Sequence, residues 1–293
     1  METFVRIAER GTISAAARDL GMSQGSASRQ LKDLEDRLGV QLIRRTTHSL
    51  ALTEAGQDVL TDARQMITSW EALEEQHAPD GDDLRGSLRI VAPVALGQLH
   101  LADIAIAFQA ANPKVSVNWL LQDEPIRFAE VGCDCWIKIG PVPDDTLIVR
   151  CLGRVERLIV GAPEVAARLG AQTPEAVENL PFATLTPFDG AKIGLSGPRD
   201  GQVHLAVRST LSTNNIMSLK RAAVCGLGAA LLPRWFVSDE LEAGSLVDIL
   251  PGWRAARLDV NLAYLPARRQ PQRLTVFIDM LEARFRDIPG MVA

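Results

Sequence analysis

Gln24, Ser28, Arg29 and Lys32 follow one another at steps of four, one and three. On a helix this places an amide, a hydroxyl, a guanidinium and an ammonium on one face. The set suits duplex DNA: Gln offers a bidentate pair to adenine, Arg meets guanine or phosphate, and Lys meets phosphate. Further basic side chains follow at Arg44, Arg45 and His48, where phosphate contacts would set orientation without reading sequence. An ordinary solvated helix face has the same composition, so charge alone does not decide. No other group of residues in the chain offers competing chemistry. His48, His77, His100 and His204 are scattered, with no nucleophile elbow, phosphate loop or metal-ligand run beside them. Neither a cofactor nor a metal is expected, and an enzyme reading would need a Ser or Cys brought to a base by the fold. Cys133, Cys135, Cys151 and Cys225 lack zinc spacing. Cys133 and Cys135 would share one face of a strand, and a redox role would need accessible thiols of lowered pKa. Cys135 and Cys151 read as small buried strand residues.

The elements that must carry the basic face lie on either side of Gly21-Met22-Ser23. Ala15, Ala16 and Ala17 allow two helices to approach closely, Leu20 closes the first, and Gly21 turns the chain. Ser23 stands where an N-cap belongs, and Ala27, Leu31, Leu34 and Leu38 make one apolar stripe on a helix from about Gln24 to Leu38. This is the outline of a helix-turn-helix. Val40–Arg45 and Leu50–Leu52 read as two strands of a hairpin joined by Thr46–Ser49. Thr53 then caps a helix running to about His77, whose Val59, Ala63, Met66, Trp70 and Leu73 form a short heptad seam. Such a seam serves either to pair with a second chain or to lie on its own domain.

Four segments, Gly11-Thr12-Ile13-Ser14-Ala15-Ala16-Ala17, Ser23-Gln24-Gly25-Ser26-Ala27-Ser28-Arg29-Gln30-Leu31, Leu34-Glu35 with Leu38-Gly39-Val40, and Leu52-Thr53-Glu54-Ala55-Gly56, resemble the LysR-type transcriptional regulators in order and spacing. The resemblance covers essentially the whole chain and is most specific in the first sixty residues. It implies a winged helix-turn-helix (1–53), a dimerising linker helix (54–78), a hinge (79–86) and an α/β effector domain (87–293). That domain would resemble type 2 periplasmic binding proteins, with subdomains 87–161 plus 266–293 and 162–265, crossing near Gly161 and Pro266. The implied partners are double-stranded promoter DNA, a small-molecule effector and further copies of the chain, as a homodimer through the linker helix and usually a tetramer. The implied DNA contacts are Ser14, Ser23, Gln24, Gly25, Ser28, Arg29, Lys32, Arg44 and Arg45. Gly25 departs from the family, which commonly has Pro or another helix-starting residue there, and should loosen the first turn. The sequence begins only two residues before Thr3-Phe4, where the family usually has a few more.

Beyond Pro79–Asp83 the chain alternates apolar strands with helices, the pattern of an α/β fold. Strands are expected at Leu88–Ala92, Val115–Leu121, Cys135–Ile139, Leu158–Ala162, Ala229–Leu232 and Asp259–Leu265. Helices are expected at Leu99–Ala111, Pro163–Leu169, Asn214–Cys225 and Pro271–Phe285. The resemblance places an effector between subdomains, lined by Pro93, Val94, Ala95, Leu96 and Gly97, by Thr186 and Phe188, and by Ser212, Thr213 and Asn214. Many relatives have Ser or Thr where Val94 and Ala95 stand, which argues against a small carboxylic acid held by a hydroxyl there. Capping and ligand contact are equally open for Ser212 and Thr213.

Composition agrees with this reading without producing it. The 293 residues, 47% hydrophobic and 23% charged, suit two or three packed units. A net charge of −5 is unusual for a DNA binder, and acids and bases nearly balance within residues 1–60. Binding would rest on a local patch and on several half-sites. With no run of eighteen apolar residues and no signal peptide, the expectation is a cytoplasmic protein without a membrane partner. The alternatives are a small-molecule-binding protein or enzyme whose N-terminal region serves only assembly, and a regulator that senses oxidation at Cys133 and Cys135.

Overall fold

A computed structural model describes residues 1–45, 50–76, 84–169, 171–186, 192–198 and 201–292, with only the backbone of Arg45, Glu75 and Gln76. The chain opens with α1 (Glu2–Arg10), α2 (Ile13–Asp19) and α3 (Gln24–Leu38). Thr12 caps α2 by accepting the Ala15 N–H at 3.2 Å, and Ser23 caps α3 by accepting the Ser26 N–H at 3.1 Å, so both starts follow from local hydroxyls. Phe4, Ile7, Ala16, Ala17, Ala27, Leu31 and Leu60 form the core of this unit. Leu38 departs from the expected stripe: it is 47% exposed at the far end of α3, beyond the reach of that core.

The hairpin is shorter than expected, pairing only β1 (Ile43–Arg45) with β2 (Leu50–Leu52). The Glu35 carboxylate takes the N–H groups of Leu42 at 2.8 Å and Ile43 at 3.2 Å, so the chain from Val40 to Leu42 runs outside the ladder. Thr46–Ser49, including His48, lie outside the described residues, as do His77 and Pro79–Asp83. Thr53 caps α4 (Glu54–Gln76), with the Gly56 N–H donating to its hydroxyl at 2.9 Å. Gly56 has to be glycine, since a Cβ there would stand 2.1 Å from the Leu42 carbonyl oxygen.

The heptad seam divides along α4. Val59 and Ala63 of the seam, with Leu60 and Ile67 beside them, pack on the helix-turn-helix. In the other half Met66, Trp70 and Leu73 are exposed, Trp70 by 60%.

The rest of the chain forms two main sheets. The first runs Met291–Val292, Ile148–Val155, Leu258–Tyr264, Cys135–Ile139, Gly86–Ala92, Val115–Leu121. The second runs Arg208–Thr213, Pro181–Leu185, Ala229–Pro233, Arg157–Gly161, Val247–Asp248, with a three-stranded sheet beside it. The chain crosses at Glu156 and returns between Ala255 and Leu258, before both expected crossovers, so Leu258–Tyr264 sits in the first sheet. An apolar core spans both sheets, with Ile90, Ile137 and Phe277 on one side and Leu219, Leu232 and Trp235 on the other.

The segment expected as a loop before a helix at Leu99 is already helical. Helix runs from Val94 to Ala111 with a π-turn at Gly97–Leu101, because Asp123 accepts the otherwise orphan Val94 N–H at 2.9 Å. By length and mean hydropathy, 1.3, this stretch could cross a membrane, yet Leu96, Leu101, Ile104 and Phe108 are buried in the α/β core.

The two halves touch. Arg64 on α4 pairs with Glu9 on α1 at 2.8 Å, and both abut Gly132, where a Cβ would lie 2.3 Å from the Arg64 guanidinium. Arg273 of the last helix pairs with Glu71 of α4 and donates to the Ser87 carbonyl at 2.9 Å.

Candidate functional site

The first candidate site is the outer face of α3. Ala27 and Leu31 are buried beneath it, so Gln24, Arg29 and Lys32 face solvent, and Ser28 is half-buried. Among the described residues neither Arg29 nor Lys32 has a carboxylate within ion-pair distance. Ser14, Ser23 and Gly25 are exposed on the same unit, and Arg44 is exposed on the wing. The Gly25 departure is absorbed locally: Ser23 caps Ser26 through both its N–H and its hydroxyl, the latter at 2.9 Å. Gln30 lies outside the basic set, its side-chain carbonyl accepting from the Thr3 hydroxyl and tying α3 to α1. Arg10 and Asp19 join α1 to α2 through two contacts, at 2.5 and 3.0 Å.

The second is a cavity of about 90 Å³ between the two main sheets. Of the expected residues, Pro93, Ala95, Leu96 and Asn214 line it. Val94 is outside the lining, and its N–H donates to Asp123. Gly97 serves packing, since a Cβ there would meet Leu121 at 2.3 Å. Ser212 and Thr213 do not cap the following helix. They end a strand, and the cap is Asn215, which accepts the Ser218 N–H at 3.0 Å. Thr186 and Ser212 hydroxyls meet at 3.4 Å outside the cavity lining. Phe188 lies outside the described residues.

The lining also includes Asp123, Trp136, Lys138, Arg157 and Trp235, which sequence reading did not single out. Lys138 is buried, and burial pushes its pKa down. Its ammonium lies 5.6 Å from the Trp136 ring and donates weakly, at 3.4 Å, to the Ile139 carbonyl. A charged residue near the end of an otherwise apolar strand was the available signal.

Cys133 and Cys135 do not share a face. Cys133 joins the small cluster of Phe128, Trp136 and Leu147, and Cys135 joins the main core. Burial raises both thiols above the ordinary range, the opposite of what thiolate chemistry needs. Cys151, expected to be buried, is exposed. Among the described residues no group of three metal-ligating side chains occurs.

Residues 1–57 match the bacterial regulatory helix-turn-helix family of lysR type, and residues 81–286 match the LysR substrate binding domain. The HTH-type transcriptional regulator PtxR of Pseudomonas aeruginosa is 32% identical, over 99% of this chain and 93% of its own length. The HTH-type transcriptional regulator YhjC of Escherichia coli is 29% identical over 96% and 95%. In fold the chain is similar to ArgP from Mycobacterium tuberculosis, with a TM-score of 0.72, 19% identity, and coverage of 97% and 95%. The LysR-type regulator LysG of Corynebacterium glutamicum, solved with bound effector Arg, gives 0.67 at 18% identity, covering 97% and 96%. The chain belongs to the LysR family of DNA-binding transcriptional regulators, which carry an effector-binding domain and are not enzymes.

Proposed function

We propose that this regulator grips double-stranded promoter DNA through Ser14, Ser23, Gln24, Gly25, Ser28, Arg29 and Lys32, with Arg44 and Arg45 of the wing on phosphates. A small molecule in the cavity between the sheets, against Pro93, Ala95, Leu96 and Asn214, controls that grip. The observation that carries the DNA reading is the sidedness of α3, with Ala27 and Leu31 sealed and Gln24, Arg29 and Lys32 exposed. Gln and Arg on such a face read base edges, and Lys adds salt-dependent affinity.

The working division is 1–53 for DNA binding, 54–78 for the linker, 79–86 for the hinge and 87–293 for the effector domain. The place of Leu258–Tyr264 in the first sheet favours counting that strand with 87–161. Met66, Trp70 and Leu73 offer an apolar strip for a homodimer through α4, with pairing of effector domains completing a tetramer. Two recognition helices at fixed separation turn half-site spacing into a geometric filter. The Arg273–Glu71 pair links α4 to the effector domain and supports transmission along that path. A coupling of about 1 to 3 kcal/mol is enough for a switch. The protein works in the cytoplasm, where promoter DNA is.

The test is titration of the full chain onto duplex DNA carrying a near-palindrome from the region upstream of its own gene, at several salt concentrations. A logarithm of affinity that falls linearly with the logarithm of salt supports phosphate contacts. Affinity indifferent to salt would reduce the N-terminal region to an assembly module.

A further inference from the structure

Three charged side chains line the cavity between the sheets, and two are already engaged. Asp123 accepts the Val94 N–H at 2.9 Å. Arg157 donates to the Ala256 carbonyl through Nε at 3.2 Å and Nη2 at 2.8 Å. Lys138 is different. It is only 9% exposed, and among the described residues no carboxylate pairs with it and its one hydrogen bond is a 3.4 Å contact to the adjacent carbonyl. The Trp136 ring 5.6 Å from Nζ steadies a cation without neutralising it. A buried ammonium without a counter-charge is unfavourable unless something supplies one.

A second, independent group points the same way. The Trp235 Nε1–H is buried with no acceptor among the described residues, and the ring also lines the cavity. An unmade buried hydrogen bond of this kind is a standing cost that an acceptor on a ligand would remove. The remaining wall is aliphatic, including Leu96, Ile137, Leu185 and Leu231. The 90 Å³ cavity holds on the order of six to nine waters, at about 10–15 Å³ each, a volume suited to a single small ring or a short chain.

We propose that the effector is a small organic carboxylate with a flat or compact apolar body, its anionic end on Lys138 and an acceptor oxygen towards Trp235. This deepens, and rests on, the reading of the cavity as the effector site. It also answers the missing hydroxyls at Val94 and Ala95: the carboxylate is held by an ammonium from the strand Cys135–Ile139, not by the turn after Ala92.

The experiment measures thermal stabilisation of the full chain by benzoate, phenylacetate and hexanoate at millimolar concentration, each beside its neutral amide. The expected result is stabilisation by at least one carboxylate and at least tenfold weaker binding of its amide. Lys138→Met should lose at least tenfold in carboxylate affinity, with Lys138→Arg recovering most of it. The cavity-filling variant Leu185→Trp should abolish binding of every probe. Equal binding of acid and amide, unchanged carboxylate binding in Lys138→Met, or no stabilisation by any carboxylate overturns the ligand class. If amides alone bind and Leu185→Trp removes them, the class is wrong and the cavity stands as the site. Carboxylate binding that persists undiminished in Leu185→Trp places the ligand elsewhere and removes the cavity itself.

Discussion

The face of α3 and the cavity between the sheets are built on opposite plans. On α3 the chemistry stands outside on one continuous helix, and the core beneath serves only to hold that helix still. In the cavity the chemistry lies inside, and the lining comes from segments spread between Pro93 and Leu258. A site on one element survives as long as that element is capped and packed. A site assembled from many segments exists only when both sheets are in register, so a small change in how they sit alters all of it at once. The first plan suits a constant grip on DNA, and the second suits a switch.

The largest break in the comparison would come from undoing the packing under α3. Leu31→Ala should cost about 2–5 kcal/mol of stability in the DNA-binding unit. Urea unfolding monitored together with DNA binding should show both falling, while ligand binding by the effector domain persists. Equal loss in both halves would mean that the two do not fold as separately as their cores suggest.

The seam between the halves offers a pH test. Burial raises the Asp134 carboxyl to about 6 from an ordinary 3.8, and one of its oxygens accepts the Arg89 N–H at 2.7 Å. Arg64 and Arg273 favour its ionised form, and Glu71 opposes it. Below about 4 the folded and unfolded chains both hold this proton. Between about 4 and 6 only the folded chain does, so stability falls as pH rises through that window and stays lower above it. The effect is at most about 3 kcal/mol, and less where water reaches the seam. Asp134→Asn, which keeps the acceptor, should flatten this part of the stability-against-pH curve and be the more stable protein at pH 7. An unchanged slope would show that the carboxyl is better solvated than its surroundings suggest.

Arg29→Ala should weaken DNA binding by about 1–3 kcal/mol at fixed salt, and Lys32→Ala should lower the salt slope by about 1. Neither should move thermal stability, since both side chains stand outside the core; a shared loss of stability would make them packing residues. The smallest change sharpens the contrast. Gly25→Ala meets only the Ser23 hydroxyl, at 3.8 Å, and should stabilise α3 by up to about 1 kcal/mol. If DNA affinity falls although the helix is firmer, Gly25 is there for close approach to the backbone of DNA.

How much could be read in advance follows the same division. Ser23, Ala27 and Leu31 announced α3 to the residue, because a cap and a 3.6-residue stripe are local signals. Val115–Leu121 and Cys135–Ile139 were equally plain as apolar runs. Ile148–Val155 was not, since its residues are largely exposed and carry Arg150, Arg154 and Gly153; it is a strand because Leu258–Tyr264 and Met291–Val292 pair with it. The start of the helix at Val94 was hidden for a similar reason, its cap being Asp123, twenty-nine residues away.

The amino-acid sequence by itself determined the capped recognition helix, its basic face, the linker helix and the alternation of an α/β domain, because each depends on contacts within a few residues. Only the tertiary structure decided which half of the heptad seam stays bare, where the chain changes sheets, that Cys133 and Cys135 point into different cores, and that Lys138 stands in the cavity with no ion-pair partner among the described residues. Those outcomes depend on what distant segments bring to a position, and the burial that gives a side chain its chemistry is a property of the neighbours, which spacing along the chain does not record.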